Sequence, residues 1–196
     1  KGNSKWALGI VTGNNKAHIQ DYSSTNTEPI YKGSCILPFQ HKKPQHFIQF
    51  ERKKFQQVAK DEFYRAKEKL VYKFISNKLV FAYDNQQSLT LNSANILIPL
   101  IPNYSIKVVV ALLNSSLFQF IFLKKFSTHK ILKSDLEQLP FPILSDNIHT
   151  EIERLSSNII IGDGDTDLID KVNNIVFKIF NLESCEINHI KTNIKN

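Results

Sequence analysis

Two sets of side chains in this sequence have the chemistry to hold a polyanion. Lys16, Lys42, Lys43, Arg52, Lys53, Lys54, Lys60 and Arg65 are cations able to neutralise phosphates without reading sequence. Between His41 and Lys73, Lys and Arg outnumber acids ten to four. Asn14, Asn15, Asn85, Gln86 and Gln87 are amides at expected turns, where paired donors and acceptors can meet base edges in a groove. Each amide is equally a residue that turns accept for backbone geometry alone. The nearby aromatics Phe47, Phe50, Phe55, Tyr72, Phe74 and Tyr83 read as core residues before stacking platforms.

Catalytic signatures are weak by comparison. The segment Gly9 to Lys16, GIVTGNNK, lacks the Gly-Lys-Ser/Thr ending of a phosphate-cradling loop and reads as a strand closing in a Gly-Asn turn. Asp163, Asp165 and Asp167 have the opening spacing of a calcium loop. Leu168 then stands where Gly is needed, and Asn174 where Glu is needed. The histidines at 18, 41, 46, 129, 149 and 189 are scattered, and none pairs with a cysteine at zinc spacing. Asp21, Glu51 and Lys53 are the one grouping compatible with a metal-dependent nuclease, a short and common pattern.

Net charge is +7, unevenly spread. Residues 1–145 hold 20 Lys and Arg against 9 Asp and Glu, whereas residues 146–196 hold 5 against 9. A basic body favours a polyanionic partner. With 42% apolar residues and 14 Phe the chain can bury a substantial core. The longest apolar run, Ile106 to Phe122, is interrupted by Lys107, Asn114 and Gln119, so no membrane span is expected. Cys35 and Cys185 are far apart and read as free thiols of a cytoplasmic protein. The chain opens on Lys1 and contains no Met, which suggests a portion of a longer one.

The elements that must position these residues follow from periodicity. Leu70–Phe74, Leu79–Tyr83, Ser88–Asn92 and Asn95–Ile98 are strand candidates, with Asp84 to Gln87 as a tight turn between the second and third. The expected core is antiparallel, with Lys73, Lys78, Asn85 and Gln87 on a solvent face. Phe47–Phe50 is a further short strand. Phe55, Ala59, Phe63, Ala66 and Leu70 recur at helical spacing and predict a basic amphipathic helix over 53–70. Ser105 is a candidate N-cap for a helix burying Val109, Leu112, Leu113, Leu117, Phe120 and Ile121, and Ser134 for a short turn ended by Pro140. Pro140, Pro142 and Ser145 to Asn147 mark a boundary. It separates a recognition domain, 1–145, from a helical appendage, 146–196. There Ile148–Ile161 and a helix capped by Asp167 form a hairpin. The fold class is therefore mixed α/β (α+β), an antiparallel-rich core with packed helices and a C-terminal helical hairpin.

The run from Lys67, KEKLVYKFISNKLVFAYD, followed by LTLNSANI from Leu89, resembles the TaqI-like C-terminal specificity domain of DNA adenine methyltransferases and combined restriction-modification enzymes. Ala7 to Asn15 resembles its opening strand and turn, and Ala111 to Leu117 its LLNSKL helix. Lys133 to Pro142 resembles its DLEQLPIP segment, and Val172 to Asn188 its tail helix. The segment Ile30 to Gly33 is also similar, but Ser34-Cys35-Ile36 replaces the usual acidic residue. The matches run in order from about Ala7 to Ile190.

The resemblance implies a sequence-specific domain for double-stranded DNA. Its methyltransferase domain would lie elsewhere in the parent chain, use S-adenosylmethionine and methylate adenine N6. Neither a Gly-rich cofactor loop nor an Asn-Pro-Pro-Tyr-like motif occurs in this sequence. No cofactor or metal is therefore expected here, and no catalytic residue. Two other readings stay open: a protein-interaction module docking through the acidic hairpin, and the metal-dependent nuclease.

Overall fold

The computed structural model describes residues 4–126, 128–162 and 164–194. Its centre is an antiparallel sheet in the order β1 (Lys5–Ala7), β8 (Ala94–Ile98), β5 (Lys69–Lys73), β6 (Phe81–Asp84). In register, Leu70 faces Tyr83 and Leu97, and Val71 faces Ala82 and Ile96. Successive side chains point to opposite faces. Leu70, Tyr72, Phe81, Tyr83 and Leu97 therefore join one buried cluster with the helices. Val71, Ala82 and Ala94 join Tyr31, Cys35 and Ile36 on the other side, where Ile96 packs with Ile10, Ile30 and Ile48.

Both faces are thus covered, which corrects the expected solvent face. Lys73 and Lys78 are half-buried, and Asn85 and Gln87 lie beyond the end of β6. A sheet buried on both faces reads as continuous apolar runs rather than alternation, and this is how 70–72 and 79–83 read.

The second sheet has the order β2 (Ile19–Gln20), β4 (Phe47–Ile48), β3 (Glu28–Tyr31), β7 (Leu89–Thr90), with β3 and β7 parallel. This corrects the expected hairpin: Asp84 to Gln87 does not join two paired strands. It carries the chain from the first sheet to the second. Two glycines allow the sheets to meet. A Cβ at Gly9 would lie 2.2 Å from the Leu91 carbonyl oxygen, and one at Gly33 would lie 2.5 Å from that of Ser93. The backbone of 91–94 passes between them.

The expected helix over 53–70 is absent. Arg52–Lys54 is a 3-10 turn; α1 (Asn15–His18) precedes it, and α2 (Asp61–Tyr64) is a single turn leading to β5. Val11 and Gln57 exchange both backbone hydrogen bonds, at 2.9 and 3.0 Å, so the segment's polar groups pair across the chain instead of along it. Phe55, Ala59 and Phe63 pack against the Ile10, Ile30, Ile48 and Ile96 cluster from this irregular path.

Ser105 caps α3 (Ile106–Asn114), accepting a hydrogen bond from Val108 N. The chain then breaks at Ser115 and resumes as α4 (Ser116–Lys125), bent by 60°. No single described helix is long and apolar enough to cross a membrane. The amides that interrupt the apolar run serve the open edge of the first sheet. Asn114 accepts from Phe81 N (3.0 Å) and donates to Phe81 O (2.9 Å), and Gln119 does the same at Leu79 (2.9 and 2.6 Å). With the Phe39 backbone, which donates to Phe81 O at 2.8 Å and accepts from Tyr83 N at 3.0 Å, these side chains complete a ladder that no full strand supplies.

Helix α5 (Lys133–Leu136) holds Ser134 inside the turn and not at its cap. The C-terminal hairpin is α6 (Asp146–Ile161) and α7 (Thr166–Ile179), followed by a third helix, α8 (Ser184–Asn193). Asp165, not Asp167, caps α7. Ile152, Leu155, Ile159, Val176 and Ile190 share the cluster of Leu70 and Phe81, so this core runs across position 145/146.

Candidate nucleic-acid interface

Strand β4 organises the candidate residues because its two ends lead to different surroundings. Gln20 opposes Phe47, and His46 Nδ1 meets Asp21 at 2.6 Å. Lys42 and Lys43 precede this end, exposed, in the stretch that leaves the Ile36–His41 bridge. At the other end Ile48 opposes both Ile19 and Glu28. Helix α1 enters here before Ile19, and Phe50 to Lys54 leaves here.

The segments carrying Asn14 to Lys16 and Arg52 to Lys54 adjoin this second end in sequence, and Arg65, through Glu28, ties Gln87 to it. Asn14 caps α1 through Ala17 N, Asn15 accepts from Thr12 Oγ1 at 2.7 Å, and Lys16 is exposed between them and the strand. Arg52 donates to Ala59 O at 2.9 Å and pairs with Asp61, which brings Lys60 alongside. A ladder of rings ties these parts together: Arg65 lies 5.6 Å over Phe50, Phe50 stacks on Phe55 at 6.1 Å, and Phe55 meets His18 at 5.6 Å.

The cations differ in how free they are. Arg65 holds Glu28 with two hydrogen bonds, at 2.6 and 2.8 Å, a bidentate geometry specific to guanidinium. Lys54 pairs with Glu51 at 2.8 Å. Among the described residues Lys16, Lys42, Lys43, Lys53 and Lys60 form no ion pair and are exposed. These five retain charge for a polyanion.

Beneath the turn that follows β6 lies a fully buried ion pair. Lys69 Nζ meets Asp84 Oδ2 at 2.7 Å, both side chains 0% exposed, and donates to Tyr64 O at 2.8 Å. The same carboxylate accepts from Gln86 N (2.7 Å), Ser88 N (3.1 Å) and Ser88 Oγ (3.2 Å). It therefore dictates the turn's path. Burial pulls the Lys69 ammonium below the usual lysine range, opposed by the Asp84 charge. Tyr31 nearby is pushed up to about 12, by burial first and then by Asp84 and Cys35.

Asn85, Gln86 and Gln87 are all exposed. Gln87 has φ of +57°, the left-handed region, and Arg65 donates to its carbonyl at 3.3 Å. Gln87 Nε2 in turn donates to Arg65 O at 3.1 Å. Sequence reasoning found the turn amides and the lysines but missed Glu28, the buried Lys69–Asp84 pair and the ring ladder. A lone Lys inside the run KLVY and an Asp ending FAYD were the available signals, opposite only once register is known.

The nuclease grouping does not assemble. Asp21 meets His46 at one end of β4, and Glu51 pairs with Lys54 at the other. Among the described residues no three potential ligands form a metal site. The calcium-like spacing begins at Asp163, outside the described residues.

The family model of the TaqI-like C-terminal specificity domain matches residues 28–141. No curated protein matches the sequence. Among solved structures, the type IIL restriction-modification enzyme MmeI in complex with DNA shares the fold, with a TM-score of 0.65 at 8% identity. That alignment covers 94% of this chain and 33% of the MmeI chain, so the chain spans about a third of that enzyme's length.

Proposed function

This chain belongs to the TaqI-like C-terminal specificity domain family, and from that premise we propose that it is the double-stranded DNA recognition domain of a restriction-modification enzyme. The family match over 28–141 carries the proposal. The free cations support it. Lys16 and Lys53 are close in sequence to the Ile48 end of β4, Lys60 adjoins the Arg52–Asp61 pair, and the Asn85–Gln87 turn is tied to that end through Arg65 and Glu28. Backbone-neutralising cations beside exposed amides are what groove readout requires: the lysines fix position and the amides discriminate. Lys42 and Lys43 sit at the opposite end of β4 and take no part in this face.

The parent enzyme methylates adenine N6 with S-adenosylmethionine, on the same proposal, through a methyltransferase domain that this chain serves. The residues here do not fit the cofactor. Gly9 and Gly33, the glycines where backbone is closely approached, are filled by the chain's own 91–94 segment. The chain's contribution is to bind and orient DNA. It does so in the cytoplasm, where Cys35 and Cys185 remain free thiols.

Salt titration of duplex binding tests the proposal. Releasing counterions from three to five phosphates gives a log K against log salt slope of roughly −3 to −4.5. A flat dependence would instead fit the interaction-module reading and overturn this one.

A further inference from the structure

We infer that Arg65 is a positioning residue for specificity, holding the Asn85–Gln87 turn so that Gln86 reads an adenine, and that neither Arg65 nor Gln87 contacts DNA itself. The inference rests on the DNA-recognition reading and divides the labour within that site. Three observations carry it.

The Arg65 guanidinium is already engaged. Two hydrogen bonds go to Glu28, one to Gln87 O, and its face covers the Phe50 ring. A phosphate would have to displace a bidentate carboxylate from it. Next, Gln87 is held in a left-handed backbone conformation that non-glycine residues adopt at a cost. The surrounding contacts enforce it: Arg65 on its carbonyl, the Arg65 carbonyl on its side-chain amide, and Asp84 on Ser88 N just beyond. Lastly, Gln86 has its backbone N–H fixed by Asp84 at 2.7 Å, and its exposed side chain makes no hydrogen bond among the described residues. A glutamine with a fixed backbone and a free amide can donate to adenine N7 and accept from N6 together. Gln87, tied back to Arg65, presents no such free pair.

The test is competition binding on duplexes carrying single substitutions in the consensus that the wild-type chain itself selects from random DNA. Gln86→Ala should lose roughly 5- to 150-fold of discrimination at one A·T position. Arg65→Ala and Arg65→Lys should lose discrimination at that same position, with the salt slope unchanged, since lysine keeps the charge but not the bidentate grip. Glu28→Gln should do likewise, although removing an acid would by charge alone tighten binding to every duplex. Gln87→Gly should lose less discrimination than Arg65→Lys, because glycine loses the side-chain bond to Arg65 O but keeps the backbone carbonyl that Arg65 grips and accepts the positive φ.

A slope reduced by about one for Arg65→Ala, with Arg65→Lys normal, would make Arg65 a phosphate contact and overturn the inference. Full discrimination in Arg65→Lys and Glu28→Gln would also overturn it. So would loss of discrimination only in step with loss of folded protein across all these variants. A wild-type chain that selects no consensus would overturn the recognition reading itself, which distinguishes the two failures.

Discussion

Asp84→Ala should be among the most destabilising single changes in the first sheet. In the folded chain the Lys69 ammonium is fully buried, with the Asp84 carboxylate at 2.7 Å and the Tyr64 carbonyl at 2.8 Å as its partners. Removing the carboxylate leaves a buried charge with one neutral acceptor, a loss of about 3–5 kcal/mol. Ser88 N, also buried, loses its acceptor as well, worth about 1 kcal/mol more. A domain of this size has a total stability of about 5–15 kcal/mol, so the variant forfeits a large share of it. Lys69→Met should cost a similar amount by stranding the carboxylate, whose bonds from Gln86 N and Ser88 N soften the loss. The double variant Lys69→Met/Asp84→Leu removes both charges together and should cost far less than the sum, a coupling of about 2–3 kcal/mol in the cycle. Urea unfolding of the four proteins measures this, read at constant slope against denaturant. Single variants costing under about 1 kcal/mol, or single costs that simply add, would refute the reasoning.

Other expectations follow from the same geometry. Replacing Lys16, Lys53 and Lys60 together with Ala should flatten the salt slope of duplex binding by about 3 units, whereas Lys42→Ala/Lys43→Ala should leave it unchanged; equilibrium titrations at several salt concentrations decide between the faces. Asn114→Leu strands Phe81 N at the sheet edge, while Phe81 O keeps the bond from Phe39 N, and should lower stability by about 1–3 kcal/mol in chemical denaturation. Tyr31, Tyr72 and Tyr104 are pushed up to about 12, chiefly by burial, from an ordinary 10. The unfolded chain loses these protons first, so their contribution is full below pH 10 and disappears as pH rises toward 12. Tyr64 and Tyr83 are raised in the same sense, and Lys69, with its ammonium disfavoured by burial, works in the opposite sense below 10.5, one group against five. Unfolding free energy should therefore fall between pH 10 and 12, as followed by denaturant midpoints across that range.

How much of this was legible in the sequence depends on the range of the interactions involved. Strands β5, β6 and β8 were visible to within two residues, since each is built around a short apolar run, Leu70–Tyr72, Phe81–Tyr83 and Ile96–Ile98. The Ser105 cap and the start of α3 were visible because a cap is local. The family itself was visible in the colinear runs from Lys67 to Ile96 and beyond, and the match over 28–141 agrees. Pairing was not visible. The turn after β6 looks like a hairpin until Asp84 meets Lys69 and Leu89 finds Ile30, contacts between residues far apart in the chain. The false helix over 53–70 has the same origin. Phe55, Ala59 and Phe63 are spaced as on a helix, but the Val11–Gln57 bridge takes the backbone elsewhere. The break at Ser115 carries no Pro or Gly to announce it. It is held by Asn173, which accepts from Ser116 N at 2.8 Å from a helix that sequence alone cannot place there. At the site, the lysines and amides were legible by type. Which cations were free was not, because Glu28, Asp61 and Glu51 choose their partners only in the fold.

Selection from a pool of random duplexes by the intact chain tests the central claim most directly. A specificity domain should enrich one short consensus, bound roughly 10³-fold or more tightly than the unselected pool at physiological salt. Enrichment of no consensus, with equal affinity for every duplex in the pool, would contradict the account.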